Sequence, residues 1–312
     1  MISKTMPILN TVLPIFSVIF LGWLARRKGY VPPQFIGPAN RLVFYFAIPA
    51  MVFAAIAKGS LRTDFNPVLL GGTLAAVILC FGLTWGAGVA AKIPRRRFGT
   101  FVQSAFHGNL GYIGLAVAFY YLGQEGFVSA SLLIGFIMIL QNLLSVIILQ
   151  CYSDKNPSRK GTRAGAVLFK IMGNPVIISA VAGICFSLTG LALPMVIART
   201  LEIISGMALP LALLLIGATL NFDLMKAQLK PVLPATGIKL VILPGIGAVC
   251  YSLGGLSPEA YVPGLILLAS PSATISYVMA VEMNGDADFA VTAISLSTLV
   301  SALTFSLWLH FI

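Results

Sequence analysis

Residues 103–122 read QSAFHGNLGYIGLAVAFYYL. The stretch is apolar enough to lie in a bilayer, yet His107, Gly108, Asn109, Leu110 and Gly111 stand at its middle, with Gly114 close behind. Glycine is a poor helix former and asparagine prefers caps and turns. Hydrocarbon offers no water to backbone groups released from a broken helix. Such a break survives at depth only where protein or a water-filled cavity satisfies it. The stretch therefore predicts a membrane helix interrupted at mid-depth.

The surrounding chain has the composition of a membrane protein. Of its 312 residues 58% are hydrophobic and only 9% charged, where a soluble domain carries about 25% charged residues. Apolar runs of about 18 or more residues recur along it, each long enough to cross a bilayer as a helix. Because the runs are continuous rather than alternating, they argue against a β-barrel. Ten spans are predicted, at about 7–25, 36–57, 67–90, 99–122, 127–151, 167–189, 193–220, 230–253, 259–281 and 288–311. The apolar stretch nearest the N-terminus is followed by a basic cluster, the reverse of a signal peptide, and reads as a retained first helix. The longest connection, residues 152–166, is polar and basic.

The net charge of +11 follows the positive-inside rule rather than a nucleic-acid surface. Arg26, Arg27, Lys28, Lys92, Arg95, Arg96, Arg97, Lys155, Arg159, Lys160, Arg163, Lys170, Lys226 and Lys230 flank the odd-numbered connections. Only Lys58, Arg62 and Arg199 flank the even ones. The odd connections are expected in the cytoplasm and both termini outside, in the cell inner membrane. Cys80, Cys151, Cys185 and Cys250 are singly spaced in or beside apolar spans and read as packing residues, not as a disulfide or zinc framework.

Sliding the second half against the first by 161 residues pairs Pro14 with Pro175, Gly22 with Gly183, Gly29 with Gly190, Pro33 with Pro194, Pro49 with Pro210 and Gly86 with Gly247. About two such identities are expected by chance, so a repeat is predicted: 1–151 and 167–312. With five spans each, the copies insert in opposite orientation, a common plan of secondary transporters. The same slide carries the break of span four onto residues 269–272 of span nine, inside ASPSATISYVMA. There Pro271 stands among Ser270, Ser272, Thr274 and Ser276. Two interrupted segments at matching positions point to a transport site.

These residues carry a resemblance. NRLVFYFAIPAMVFAAIA, GNLGYIGLAVAFYYLG, NPVIISAVAGI, SGMALPLALLLIGATL and SPSATISYVMAVEMNGD are similar, in order and spacing, to the second, fourth, sixth, seventh and ninth helices of the auxin efflux carrier family. That family includes plant auxin carriers and malonate or malate permeases. The resemblance covers most of the chain. It implies a ten-helix fold related to bile-acid sodium symporters. Helices 1, 2, 6 and 7 would form a scaffold, and helices 3–5 and 8–10 a transport domain in which helices 4 and 9 cross at their breaks. It further implies an elevator-like motion and a homodimer in the lipid membrane. Family crossovers often carry proline in both broken helices, whereas span four here has glycines and no proline.

The candidate substrate-binding set is Gly108, Asn109, Gly111, Pro271, Ser272, Thr274 and Ser276. Asn109 either contacts substrate or caps a half-helix, and the hydroxyls either contact substrate or bond back to their own helix. His107, Lys239 and Ser270 are candidates for ion or charge coupling. His107 titrates near neutrality when unperturbed, and an intramembrane Lys is a functional hypothesis by default, here as counter-charge to a carboxylate or in the place of a sodium ion. Pro49 and Pro210 are expected to kink the scaffold helices and shape the cavity. Gln141 and Asn142 read as helix–helix hydrogen-bonding residues.

No carboxylate falls at mid-membrane, so a carboxylate proton relay is disfavoured. Coupling to Na+ or H+, or uncoupled movement, stays open at this stage. There is no H-E-x-x-H or G-x-S-G motif and no nucleophile–base pair, so no enzyme, metal or cofactor is expected. The sequence thus predicts a carrier of small organic anions, mono- or dicarboxylates, with no nucleic-acid partner. A channel or a ligand-binding sensor is the alternative.

Overall fold

The computed structural model describes residues 2–59, 65–152 and 173–311. Most of the connection 152–166, the start of span six and Arg62 lie outside the described residues. Among those described the chain is helical and holds no strand, its one extended feature being a single isolated bridge. Among the described residues six helices are long and apolar enough to cross a membrane, and the protein is a multi-pass membrane protein.

The helices in chain order are α1 (Ile2–Arg27), α2 (Pro33–Lys58), α3 (Pro67–Ala90), α4 (Arg95–Phe106), α5 (Leu110–Cys151), α6 (Pro175–Leu188), α7 (Met195–Thr219), α8 (Phe222–Leu253), α9 (Pro258–Ala269), α10 (Ile275–Glu282) and α11 (Ala287–His310). Within α5, Gly123 takes φ 67°, a left-handed turn that only glycine enters cheaply, and two helical stretches meet there. This turn separates predicted spans four and five.

Prolines write the irregularities of α2, α7 and α8. A proline lacks the N–H and its ring clashes with the carbonyl four residues back. In α2 the conflict before Pro49 is relieved by a π-helical turn over Val43–Ala47, closed by Ile48 N–H donating to the Val43 carbonyl. In α8 the turn Ile238–Ile242 precedes Pro244 in the same way. In α7 the helix stops at Met207 and restarts, with Pro210 in the first turn of Ala208–Thr219, where proline is tolerated.

The chain divides into two compact units. Of the described residues the first comprises 2–59, 65–67, 111–136 and 173–220. Its α1 buries Ile8, Val12, Ile15 and Ile19, at helical spacing, while Leu13, Phe20 and Leu21 on the other faces stay exposed. Apolar residues all round suit a helix with protein on one side and lipid on the other. Small residues let α1 and α7 touch backbone to backbone: a Cβ on Gly22 would meet the Leu214 backbone, and one on Gly217 the backbone of Ile19 and Trp23. Gly183 of α6 lies against Ile56 and the Phe53 carbonyl of α2 in similar fashion.

Of the described residues the second unit comprises 68–110, 137–152 and 221–311. Arg97 of α4 donates from Nε to Asp286 at 3.0 Å, and Asp286 caps α11 by accepting from Phe289 N–H at 3.0 Å. Deeper in, Tyr251 of α8 and Thr73 of α3 share a buried 2.7 Å hydrogen bond.

Helices α4 and α9 are both 12 residues long and stand 163 residues apart, not 161. The slide of 161 had set Gly108 opposite Ala269. Matched by helix ends, Gly108 falls opposite Pro271 and Asn109 opposite Ser272. Between α7 and Lys230 the chain carries two more residues than between α2 and Pro67.

Candidate functional site

In the second unit α4 ends at Phe106 and α9 at Ala269, and the residues after both run extended: His107 has ψ 103° and Ser270 ψ 143°. The two extended pieces pair antiparallel, Gly108 opposite Ser272. Asn109 N–H donates to the Pro271 carbonyl at 2.7 Å, and Ala273 N–H donates to the His107 carbonyl at 2.9 Å. Span four thus breaks without a proline.

Side chains satisfy the backbone groups that the breaks release. Gln141 of α5 donates from Nε2 to the Phe106 carbonyl at 3.0 Å and accepts from Gly108 N–H at 3.2 Å. Ser272 donates to the Ser104 carbonyl at 2.7 Å, and its own N–H is taken by Ser297 of α11 at 3.0 Å. At the other break, Ser270 donates to the Leu267 carbonyl at 2.6 Å. Lys239 of α8 donates to the Leu268 carbonyl at 2.7 Å. Gly108 is required by close approach: a Cβ there would lie 2.7 Å from Ser270 Oγ and 3.3 Å from Lys239 Nζ.

The candidates separate by what remains unbonded. Asn109 is 5% exposed and its Nδ2 has no partner; the Ser276 hydroxyl is also buried without one. These are donors held ready at the crossing, since an unsatisfied buried donor costs about 1–3 kcal/mol. Thr274 stands at the start of α10, half-buried, with no side-chain cap. Ser272 and Ser270 spend their hydroxyls on backbone carbonyls. His107 pairs through Nδ1 with Ser145 at 2.9 Å and lies parallel to Phe106, as a packed histidine does. Gly111, Pro49 and Pro210 belong to the first unit. There Gly111 lies near Ile48. Pro210, but not Pro49, lines a cavity of about 330 Å³ together with Lys58, Phe119, Gln124 and Glu202.

Two contributors escaped the sequence reading. Gln141 had been assigned only to general helix–helix bonding, yet it holds both sides of the first break. Ser297 was not singled out. Its signal was available: Thr292, Ser295, Thr298 and Ser301 recur at three-residue spacing along α11, and with Ser297 they are all buried. Among the described residues no group of three or more His, Cys, Asp or Glu could hold a metal ion.

Paired helix breaks with buried polar groups inside a multi-pass helical chain are a recurring feature of membrane transporters. The family model described as "Membrane transport protein" matches residues 7–165 and 155–309, and the chain belongs to that family. It is 27% identical over 310 residues to the "Putative malonate transporter" of Rhizobium meliloti, covering 95% of this chain and 93% of that one. It is 29% identical over 321 residues to an uncharacterized transporter of Methanothermobacter thermautotrophicus, covering 96% of each. It is 23% identical over 312 residues to the uncharacterized transporter YfdV of Escherichia coli K12, covering 97% of this chain and 96% of that one.

Proposed function

We propose that the protein is a secondary transporter of small organic anions, mono- or dicarboxylates, working by alternating access in the cell inner membrane. The observation that carries this reading is the crossing of the two interrupted helices, where Asn109 Nδ2 and Ser276 Oγ are buried donors without partners. A carboxylate offers the acceptors that these donors lack. The positive end of α10 favours an anion, although Ser276 and Tyr277 N–H already donate to the Ala273 and Thr274 carbonyls at 3.0 and 3.3 Å. The name of the Rhizobium relative agrees with a dicarboxylate.

In this proposal Asn109, Ser276 and Thr274 contact the substrate. Gly108, Pro271 and Ser272 shape the crossing, and Pro210 lines the cavity of the first unit. Ten spans in two inverted repeats, an elevator-like displacement of helices 3–5 and 8–10 against 1, 2, 6 and 7, a homodimer, and both termini outside complete the reading. The protein acts without enzymatic chemistry. The repeat is supported by Gly22 and Gly183, 161 residues apart, each sitting at a close helix crossing.

The test is uptake into proteoliposomes of malonate, malate, a monocarboxylate and indole acetate, beside Asn109→Ala. Saturable flux of one of these, lost in the variant, is the expected result. Non-saturable flux would point instead to a channel, and binding without flux to a sensor. No carboxylate flux under any imposed gradient would overturn the proposal.

A further inference from the structure

Lys239 is the one basic side chain that is fully buried among the described residues. Its ammonium reaches the crossing from the π-helical turn Ile238–Ile242 of α8. There it donates to the Leu268 carbonyl, in the last turn of α9, at 2.7 Å. No carboxylate answers it: the one ion pair among the described residues joins Arg97 and Asp286. What does answer it is the end of a half-helix, whose last carbonyls carry about half a negative charge. A buried charge without such compensation is strongly disfavoured in a membrane.

The two breaks are treated differently. The carbonyl end of α4 receives a neutral amide, Gln141 Nε2 on the Phe106 oxygen at 3.0 Å. The carbonyl end of α9 receives an amine, Lys239 Nζ on the Leu268 oxygen at 2.7 Å. Half-helix carbonyl ends of this kind are where transporters coordinate a free monovalent cation. Here the position is already taken by a cation that the chain carries itself. A second cation within about 4 Å of the ammonium would meet strong repulsion in a medium of low dielectric. The absent Cβ of Gly108 leaves room for the ammonium, 3.3 Å from where that atom would stand.

We infer that Lys239 is a tethered substitute for a coupling cation, a positioning residue that holds the carbonyl end of α9 so that the carrier moves its anion without sodium. The inference rests on the transport reading proposed above and specifies how that transport is driven. Removing the ammonium turns a closed site into an open one, lined by the Leu268 carbonyl and Ser270 Oγ. Sodium then becomes a ligand.

The experiment compares the wild type, Lys239→Arg and Lys239→Ala in sodium chloride and in choline chloride of equal ionic strength. Labelled malonate uptake is one readout and thermal melting of the purified protein the other. Wild-type and Lys239→Arg uptake is expected to agree within about twofold between the two salts, with no sodium-specific change in melting, since neither form binds the ion. Lys239→Ala is expected to lose uptake in choline, to regain about fivefold or more in sodium, and to melt higher in sodium, as an ion that binds only the folded state requires. Wild-type uptake rising about tenfold with sodium, or wild-type melting raised by sodium alone, overturns the inference. So does a Lys239→Ala protein indifferent to the salt in both readouts. Should Lys239→Ala not fold, the wild-type and Lys239→Arg comparisons decide. Absence of malonate uptake in every salt would count against the transport reading, while melting would still decide on Lys239.

Discussion

Gln141→Leu removes one side chain and orphans two backbone groups. Leucine keeps about the volume of the aliphatic part but cannot accept from Gly108 N–H at 3.2 Å or donate to the Phe106 carbonyl at 3.0 Å. Both groups are buried, so water does not replace the amide. An orphaned buried donor or acceptor costs about 1–3 kcal/mol, so two cost about 2–6 kcal/mol. Measured side-chain hydrogen bonds in membrane helices average nearer 0.6 kcal/mol, because the unfolded reference also finds partners. The low end of the range, about 2–3 kcal/mol, is the expected destabilisation.

For a chain of this size that corresponds to a fall in melting temperature of about 3–5 °C, read from detergent-solubilised protein by intrinsic fluorescence. The neighbouring residue is the control. Asn142 Nδ2 donates only to Met138 O of its own helix, at 2.8 Å, so Asn142→Leu is expected to shift melting by less than about 2 °C. Equal melting of Gln141→Leu and the wild type, or an equally large loss in Asn142→Leu, would refute the view that Gln141 secures the break.

Asn109→Ala is expected to leave the melting temperature within about 2 °C of wild type, because Nδ2 gives up no partner, while uptake falls about tenfold or more. A large loss of stability would make Asn109 structural instead. Gly217→Ala forces a Cβ into the backbone of Ile19 and Trp23 and is expected to destabilise the first unit by about 1–3 kcal/mol, by the same melting assay. Asp286→Ala removes both the cap on Phe289 N–H and the ion pair with Arg97, so it should cost about 1–2 kcal/mol. Arg97→Ala, at a partly exposed pair, should cost under about 1 kcal/mol and less at high salt. The reverse order would deny the cap its role.

Much of this protein was legible in its residue order. Continuous apolar runs separated by short basic connections determine a helical membrane chain, because hydrocarbon forces every backbone group to bond within its own segment. Gly108 and Asn109 in one run, and Pro271 among hydroxyls in another, marked both breaks for the same reason: they are residues that a continuous helix rejects. Pro49 and Pro210 forecast the irregularities of α2 and α7 through the missing N–H.

Other features belong to the tertiary structure alone. A slide of 161 sets Gly108 opposite Ala269, two positions from the match by helix ends, because sequence identity carries no ruler for helix boundaries. Nor could composition assign partners. Lys239 stands 29 residues from the carbonyl it bonds, Gln141 33 from the N–H it accepts, and Ser272 168 from the carbonyl it caps. Polarity in a span shows that a partner exists, since a buried polar group must be satisfied. Which partner is decided only when the packing of the helices sets their distances and angles. That is why Asn109 and Ser272, alike in the sequence as polar residues beside a break, part in the structure. The hydroxyl of Ser272 lies within reach of the Ser104 carbonyl and is spent on it, while Asn109 keeps a free donor at the crossing.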